Sequence, residues 1–306
     1  MRRALVLAAL TLAGCGETPR PAAQSAPTPA GTLFLAGREP GTLIRVDVAA
    51  GTATTHHVKW LSGGDPPHMV AFTGGRIVLF SLGRATSLAP DLSDPRSLGE
   101  SWYFVPSATP GRVWNILLER HRYAFRGVRE TTVDGRTTFA RHARVPGWAV
   151  GAVPAGLLLQ RNRLEVWDPR RARIVRRLPG PFLVAAHGSL VASCSDRCAR
   201  VHLTDTATGA HATARFAGAY RGAFSPDGTQ LAVRDEGGRV AVIDVTTRAV
   251  RVIARTGAID YPLVAWASNG WLYYTAAGGT LAAWRPGAPA RALRPRVGTV
   301  VDMAAD

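Results

Sequence analysis

The chain has 306 residues, 46% of them hydrophobic, and a formal net charge of +16. Its 32 glycines and 21 prolines indicate many turns, and no apolar pattern of helical period continues beyond the N-terminus. Together these features favour an all-β protein with many short strands over a helical one. The positive charge comes from arginines spread along the whole chain, which is typical of solvated strand faces and does not favour a nucleic-acid partner.

The first fifteen residues have the features of a bacterial export signal. Two arginines in residues 1–3 precede an apolar run, residues 4–12, that is too short to span a bilayer. The sequence Leu-Ala-Gly-Cys that ends at Cys15 resembles the lipobox of bacterial lipoproteins, in which the cysteine receives a diacylglyceryl group. The resemblance implies that residues 1–14 are a signal peptide and that Cys15 is lipidated. It also implies a location at the cell membrane, outside the cytoplasm. The alternative is an ordinary secretory signal with a chance cysteine.

The segment after this cysteine is predicted to be a tether. Residues 16–30, GETPRPAAQSAPTPA, are rich in proline, alanine, serine and threonine and have no apolar periodicity. This composition is typical of an extended, disordered linker. We therefore expect a lipidated cysteine and tether over residues 15–30 and a folded domain over residues 31–306.

A pattern of strands and tight turns repeats along this domain. Residues 223–245 give its clearest copy, in which Ser-Pro-Asp-Gly and Glu-Gly-Gly turns separate three short apolar strands. The third strand recurs at spacings of 34 to 44 residues, close to the length of one four-stranded propeller blade. The pattern resembles the blades of WD-repeat-like and Tol-associated β-propellers. The seven copies of the third strand are residues 43–47, 85–91, 126–134, 164–168, 201–205, 240–244 and 281–285.

Seven copies predict a single all-β domain, a β-propeller of seven four-stranded blades, with six or eight blades as alternatives. The first blade begins at residues 32–36 with a second strand, and residues 298–304 form a solitary strand near the end of the sequence. We expect the solitary strand to complete the first blade and so to leave no open edge in the ring. In the second copy, which is the least regular, residues 91–100 are either a strand or a loop.

Two cysteines remain beside Cys15. Cys194 and Cys198 stand where two strands of the fifth blade are expected to turn. In an exported protein this pair favours a disulfide that closes a short loop. The alternative, half of a zinc site, needs a second pair of ligands that the sequence does not supply.

The sequence contains no catalytic or cofactor-binding motif of a known type, so we predict no catalytic residue, no cofactor and no metal. Possible metal ligands are densest at His56, His57, Asp65 and His68. Adjacent residues of a strand point to opposite faces of the sheet, so His56 and His57 do not converge on one ion.

The predicted ring places one group of residues around the mouth of its central channel. Loops that join an outermost strand to the next innermost strand all lie on one rim of a propeller. The residues at or near these loops are rich in aromatic rings, which together with arginine are typical of binding sites. The alternative is that the rings plug the edge of the channel. The predicted binding rim consists of His68, Trp102, Trp148, Phe182, Tyr220, Arg221 and Tyr261.

The predicted function is that of a membrane-anchored, extracytoplasmic binding or scaffolding module at the cell envelope. Its partner is expected to be a protein, a peptide or a glycan, and not a nucleic acid. The alternative is an envelope enzyme of the propeller type, such as a lyase, lactonase or hydrolase, with its site at the channel. Against an enzyme, the expected innermost strands and their entry points carry few chemically active side chains, namely His68, Arg221 and Asp302.

Overall fold

A computed structural model describes residues 27–39, 41–57, 70–81, 83–119, 124–195, 198–258, 261 and 263–306. The predicted signal peptide, Cys15 and most of the tether lie outside these residues, as do Asp65 and His68. For residues 81, 118, 119, 124, 125 and 220 only the backbone is described.

The described residues form 28 strands. Buried and exposed positions alternate along outer strands such as residues 173–177, as expected for a strand with one face in solvent. Other strands, such as residues 164–168, are buried along their whole length because neighbouring blades cover both faces. In chain order the strands are β1 (Thr32–Gly37), β2 (Thr42–Asp47), β3 (Thr52–His57), β4 (Val70–Thr73), β5 (Arg76–Ser81), β6 (Arg84–Leu88), β7 (Arg96–Glu100), β8 (Tyr103–Pro106), β9 (Arg112–Glu119), β10 (Ala124–Thr132), β11 (Thr137–Arg141), β12 (Trp148–Val153), β13 (Gly156–Gln160), β14 (Leu164–Asp168), β15 (Arg173–Arg177), β16 (Phe182–His187), β17 (Leu190–Cys194), β18 (Val201–Asp205), β19 (His211–Ala214), β20 (Ala219–Phe224), β21 (Gln230–Asp235), β22 (Arg239–Asp244), β23 (Val250–Arg255), β24 (Val264–Trp266), β25 (Leu272–Ala276), β26 (Thr280–Trp284), β27 (Arg291–Arg296) and β28 (Val300–Ala305).

The described strands assemble into seven antiparallel sheets of four strands each, which confirms the predicted seven-bladed propeller. Each predicted third strand is the third strand of its sheet: β2, β6, β10, β14, β18, β22 and β26. Residues 91–100, for which the sequence left a strand or a loop open, form a turn followed by β7, the outermost strand of the second blade. Among the described residues, no helix has both the length and the hydropathy needed to cross a bilayer.

The ring is closed by the last strand. β28 pairs antiparallel with β1, with Leu33 opposite Ala305 and Leu35 opposite Met303, and it occupies the innermost position of the first blade. The predicted closure is therefore confirmed. Pairing of β28 with β1 gives the innermost edge of the first blade a partner from the other end of the sequence.

The core lies between neighbouring blades. Between the first two blades, for example, Phe34 and Leu43 pack with Ile77, Leu79 and Val301, and all five are less than a tenth exposed. Each fully buried aliphatic or aromatic side chain contributes roughly 1.5–3 kcal/mol of hydrophobic free energy. Burial between the blades fixes their spacing, and the blades in turn position the loops at their ends.

Strand direction alternates in every blade, so the connections divide between two faces of the ring. One face, here called the rim face, holds the loops that enter each innermost strand and the turns between second and third strands. The opposite face, here called the turn face, holds the turns between first and second strands and between third and fourth strands. On each face, backbone hydrogen bonds connect neighbouring loops and turns. Examples are the bonds from Gly218 N–H to Cys198 O on the rim face and from Val133 N–H to Gly111 O on the turn face (both 2.9 Å).

Residues at the start of the domain lie on the turn face. The backbone oxygen of Ala30 accepts hydrogen bonds of 2.6 Å from the Asn269 side-chain amide and from the Tyr273 hydroxyl. Asn269 belongs to the turn between β24 and β25, and Tyr273 lies near the start of β25. The chain therefore enters the ring on the face opposite to the predicted binding rim.

Candidate functional site

Four of the predicted rim aromatics are exposed on the rim face. Trp102 directly precedes β8, Trp148 and Phe182 begin β12 and β16, and Tyr261 lies in the loop before β24. Their exposed fractions are 45%, 58%, 40% and 37%, respectively. Side chains exposed to this degree leave a large part of their apolar surface in solvent.

These four rings stand out from the other exposed apolar side chains of the described residues. The remaining large ones are Val175, Val250 and Val252, which lie on the outermost strands β15 and β23. Isolated exposed valines are common on protein surfaces, whereas large aromatic residues are enriched where proteins bind partners. The rim face therefore holds every large exposed aromatic ring of the described part of the chain.

Of the other three predicted rim residues, the structure describes the side chain of Arg221 alone. His68 lies outside the described residues, and Tyr220 is described only by its backbone, which belongs to β20. Arg221 is the third residue of β20 and is exposed toward the channel, where it meets Asp302.

The ring of Trp148 lies against Tyr103, a residue that sequence reasoning missed. The two ring centroids are 6.0 Å apart with an interplanar angle of 25°. The Tyr103 hydroxyl accepts a hydrogen bond of 2.8 Å from Ala149 N–H, and burial raises the pKa of this hydroxyl well above its ordinary value. The contact joins the third and fourth blades and orients the indole at the rim. The only signal in the sequence was the position of Tyr103, one residue after Trp102.

A pocket of about 640 Å³ opens beside Phe182 on the rim face. Leu183, Ala219 and the Cys194–Cys198 disulfide form apolar parts of its wall, and Asp235 and Glu236 form a polar edge. The predicted disulfide is thus confirmed, and it closes the turn that forms one side of this pocket.

The acidic edge of this pocket is partly neutralised. Asp235 forms an ion pair of 2.5 Å with Arg239, whose guanidinium carbon also lies 5.2 Å from the centre of the Phe216 ring. The carboxylate of Asp235 also accepts a hydrogen bond of 2.7 Å from Arg239 N–H, which fixes the turn between β21 and β22.

A second rim pocket, of about 440 Å³, lies beside Tyr261 and Thr275. Beneath it the fully buried Arg234 donates hydrogen bonds to Thr275 Oγ1 (3.0 Å) and Thr256 Oγ1 (2.6 Å), and burial lowers the pKa of its guanidinium to about 10. Thr275 Oγ1 in turn donates to the backbone oxygen of Tyr261 (3.2 Å). Arg234 therefore joins the sixth and seventh blades and supports the loop that presents Tyr261. The expectation of solvated arginines is wrong at this position.

An acid and a base face each other in the channel. Arg221 of β20 and Asp302 of β28 approach to 3.8 Å between the guanidinium and the carboxylate. Asp302 also accepts hydrogen bonds from Val70 N–H (2.7 Å) and Met303 N–H (2.9 Å), so one carboxylate connects three blades. Its burial raises its pKa to about 6, and the hydrogen bonds and Arg221 oppose that rise. No group of three or more histidine, cysteine or acidic side chains within the described residues is arranged to hold a metal ion.

No protein-family model and no curated protein matches this sequence. Solved structures of other β-propellers are similar in fold. Apo AztD from Citrobacter koseri is 15% identical with a TM-score of 0.60, and the match covers 90% of this chain and 98% of that one. The Pan2 WD40 domain of Neurospora crassa is 10% identical with a TM-score of 0.54, and the match covers 88% of this chain and 90% of that one. PorZ of Porphyromonas gingivalis is 11% identical with a TM-score of 0.52, and the match covers 78% of this chain and 34% of that one. At these identities the similarity concerns the fold alone.

The raised pKa of Asp302 predicts a pH dependence of stability. Between the ordinary carboxyl pKa near 4 and the folded value of about 6, the folded protein binds more protons than the unfolded chain. The free energy of unfolding therefore falls as pH rises through this window. Asp302→Asn removes this titration, so its stability relative to the wild type should increase by on the order of 2 kcal/mol from pH 4 to pH 7.

Urea unfolding of both proteins at several pH values measures this difference. Glu236→Gln, which removes an exposed carboxylate from the rim face, is the control for the loss of one negative charge. A pH-independent difference for Asp302→Asn would show that the channel carboxylate is not destabilised by burial.

Proposed function

We propose that this chain is a lipid-anchored, extracytoplasmic β-propeller that binds a protein, peptide or glycan partner through its rim face at the cell envelope. The observation that carries the proposal is the placement of Trp102, Trp148, Phe182 and Tyr261 on one face with more than a third of each exposed. Large rings contribute strongly to binding free energy when a partner covers them.

Contacts with buried and cross-linked residues hold these rings in place, which favours a preorganised surface. Trp148 rests on Tyr103, and Phe182 borders a pocket walled by a disulfide. Tyr261 lies in a loop that Thr275 and Arg234 hold. A surface with few side chains left to order loses less conformational entropy when a partner binds.

The predicted anchor and the fold are compatible in geometry. Residues 16–30 separate Cys15 from the point where Ala30 is bound on the turn face. Fifteen residues in extended conformation span up to about 50 Å. An anchor at Cys15 would therefore let the turn face lie toward the membrane and leave the rim face accessible.

Removing two rim rings should abolish partner capture without unfolding the domain. Trp102→Ala with Phe182→Ala is compared with Val175→Ala and Val252→Ala, which remove exposed apolar surface from outermost strands. In pull-downs from envelope extract, the wild type and the valine variant should retain a common partner, and the rim variant should lose at least nine-tenths of it. Direct binding of the purified partner, with circular dichroism of each variant, completes the measurement. Equal capture by the rim variant would contradict the proposal.

Lipidation at Cys15 is tested independently of the rim. Cells that express the chain are fed an alkyne-tagged palmitate, and the label on the protein and its distribution between membrane and soluble fractions are measured. The wild type should be labelled and sediment with membranes, whereas Cys15→Ala should lose the label and the membrane association. Cys194→Ala with Cys198→Ala is the matched control and should keep the label. Label on the Cys15→Ala protein would contradict this anchor.

A further inference from the structure

The two faces of the ring carry different charge. On the turn face, carboxylates act mainly as turn caps, as where Asp47 accepts from Ala50 N–H (2.9 Å) and Asp244 from Thr247 N–H (2.6 Å). The described residues place ten carboxylates there: Asp47, Asp91, Asp94, Glu130, Asp134, Asp168, Asp205, Asp227, Asp244 and Asp306. Arginines at the turns and strand ends of this face include Arg76, Arg96, Arg112, Arg136, Arg170, Arg171, Arg173, Arg248, Arg285 and Arg291.

Within the described residues, the loops, turns and strand ends of the rim face hold half as many carboxylate side chains: Glu39, Glu100, Glu165, Asp235 and Glu236. Nine of its arginines are exposed and form no ion pair within the described residues: Arg38, Arg84, Arg144, Arg161, Arg163, Arg200, Arg215, Arg255 and Arg296. These arginines lie in the loops and turns of the rim face or at the strand ends beside them, and they are distributed around the ring.

Three of the five described carboxylates of the rim face already have a basic partner. Glu100 pairs with Arg126 (3.0 Å), Asp235 with Arg239 (2.5 Å), and the buried Glu165 with Arg177 (3.4 Å). Within the described part of this face, only the carboxylates of Glu39 and Glu236 are without an ion pair. Among the described residues, the exposed aromatic rings therefore share the rim face with more unpaired arginines than unpaired carboxylates.

We propose that the rim face binds an acidic segment of a protein in which carboxylates alternate with apolar side chains; this rests on the proposed binding function of the same face. Arginine guanidinium groups bind carboxylates through paired hydrogen bonds. Aromatic residues and arginine are the types most enriched at the centres of protein interfaces.

The pocket beside Phe182 favours a polypeptide over an acidic glycan. Its wall includes Leu183, Ala219 and the disulfide, which suit an apolar side chain. Carboxylates of the same segment then reach exposed guanidinium groups on neighbouring loops, among them Arg200 in the turn between β17 and β18 and Arg215 directly after β19. The excess positive charge also accelerates the encounter with an acidic partner, and that acceleration falls as ionic strength rises.

The test uses the full chain purified in detergent and a peptide of repeated Glu-Glu-Phe units, with a Gln-Gln-Phe peptide and polygalacturonate as comparisons. The rim variant is Arg161→Gln with Arg163→Gln. The matched control, Arg136→Gln with Arg173→Gln, removes the same charge from exposed positions of the turn face. Dissociation constants are measured by calorimetry at low and physiological salt.

The wild type should bind the acidic peptide at least tenfold more tightly than the glutamine peptide. The rim variant should bind it roughly three- to tenfold more weakly than the wild type, and the control should stay within about twofold. Equal weakening by both variants would attribute binding to net charge alone and overturn the proposal. Absence of binding would overturn it too, as would tighter binding of polygalacturonate. If capture still depends on Trp102 and Phe182 in these cases, the binding function stands and only the acidic partner is excluded.

Discussion

The antiparallel pairing of β28 with β1 is the contact on which the arrangement of the molecule depends. It joins the last strand of the sequence to the first strand of the domain, with Leu35 opposite Met303, and so gives the first blade its innermost strand. β28 also packs against β4 and β24, the innermost strands of the second and seventh blades. The same strand brings Asp302 to Val70 and Arg221. Closure thus determines which loops share a face and which charges meet in the channel.

The two faces of the closed ring differ in the side chains they carry. Third strands that end in aspartate, such as β2, β18 and β22, place capping carboxylates on the turn face, where they satisfy backbone donors of the following turn. Among the described residues, the rim face has fewer such caps, and nine of its arginines and four of its aromatic rings are exposed. The segregation of charge follows from turn chemistry that is repeated blade by blade.

Local patterns made the fold predictable. The Ser-Pro-Asp-Gly turn and the aspartate that ends or follows six of the seven third strands are encoded within a few residues, so the blades and the closing strand were correctly identified. The rim rings Trp102, Trp148, Phe182 and Tyr261 could be assigned to one face because they follow outermost strands. Contacts between blades could not be predicted in this way. Tyr103 beneath Trp148, Arg234 against Thr275, and Arg221 beside Asp302 depend on packing between segments that are far apart in the sequence.

The central claim is that a partner covers the rim face in the cell. Photo-crosslinking tests it most directly, with p-benzoylphenylalanine incorporated in place of Phe182 in one chain and in place of Val175, on an outermost strand of the neighbouring blade, in another. Irradiated cells should yield a crosslinked adduct of higher mass from position 182 and none from position 175. Adducts from position 175 alone, or the same adducts from both positions, would contradict it.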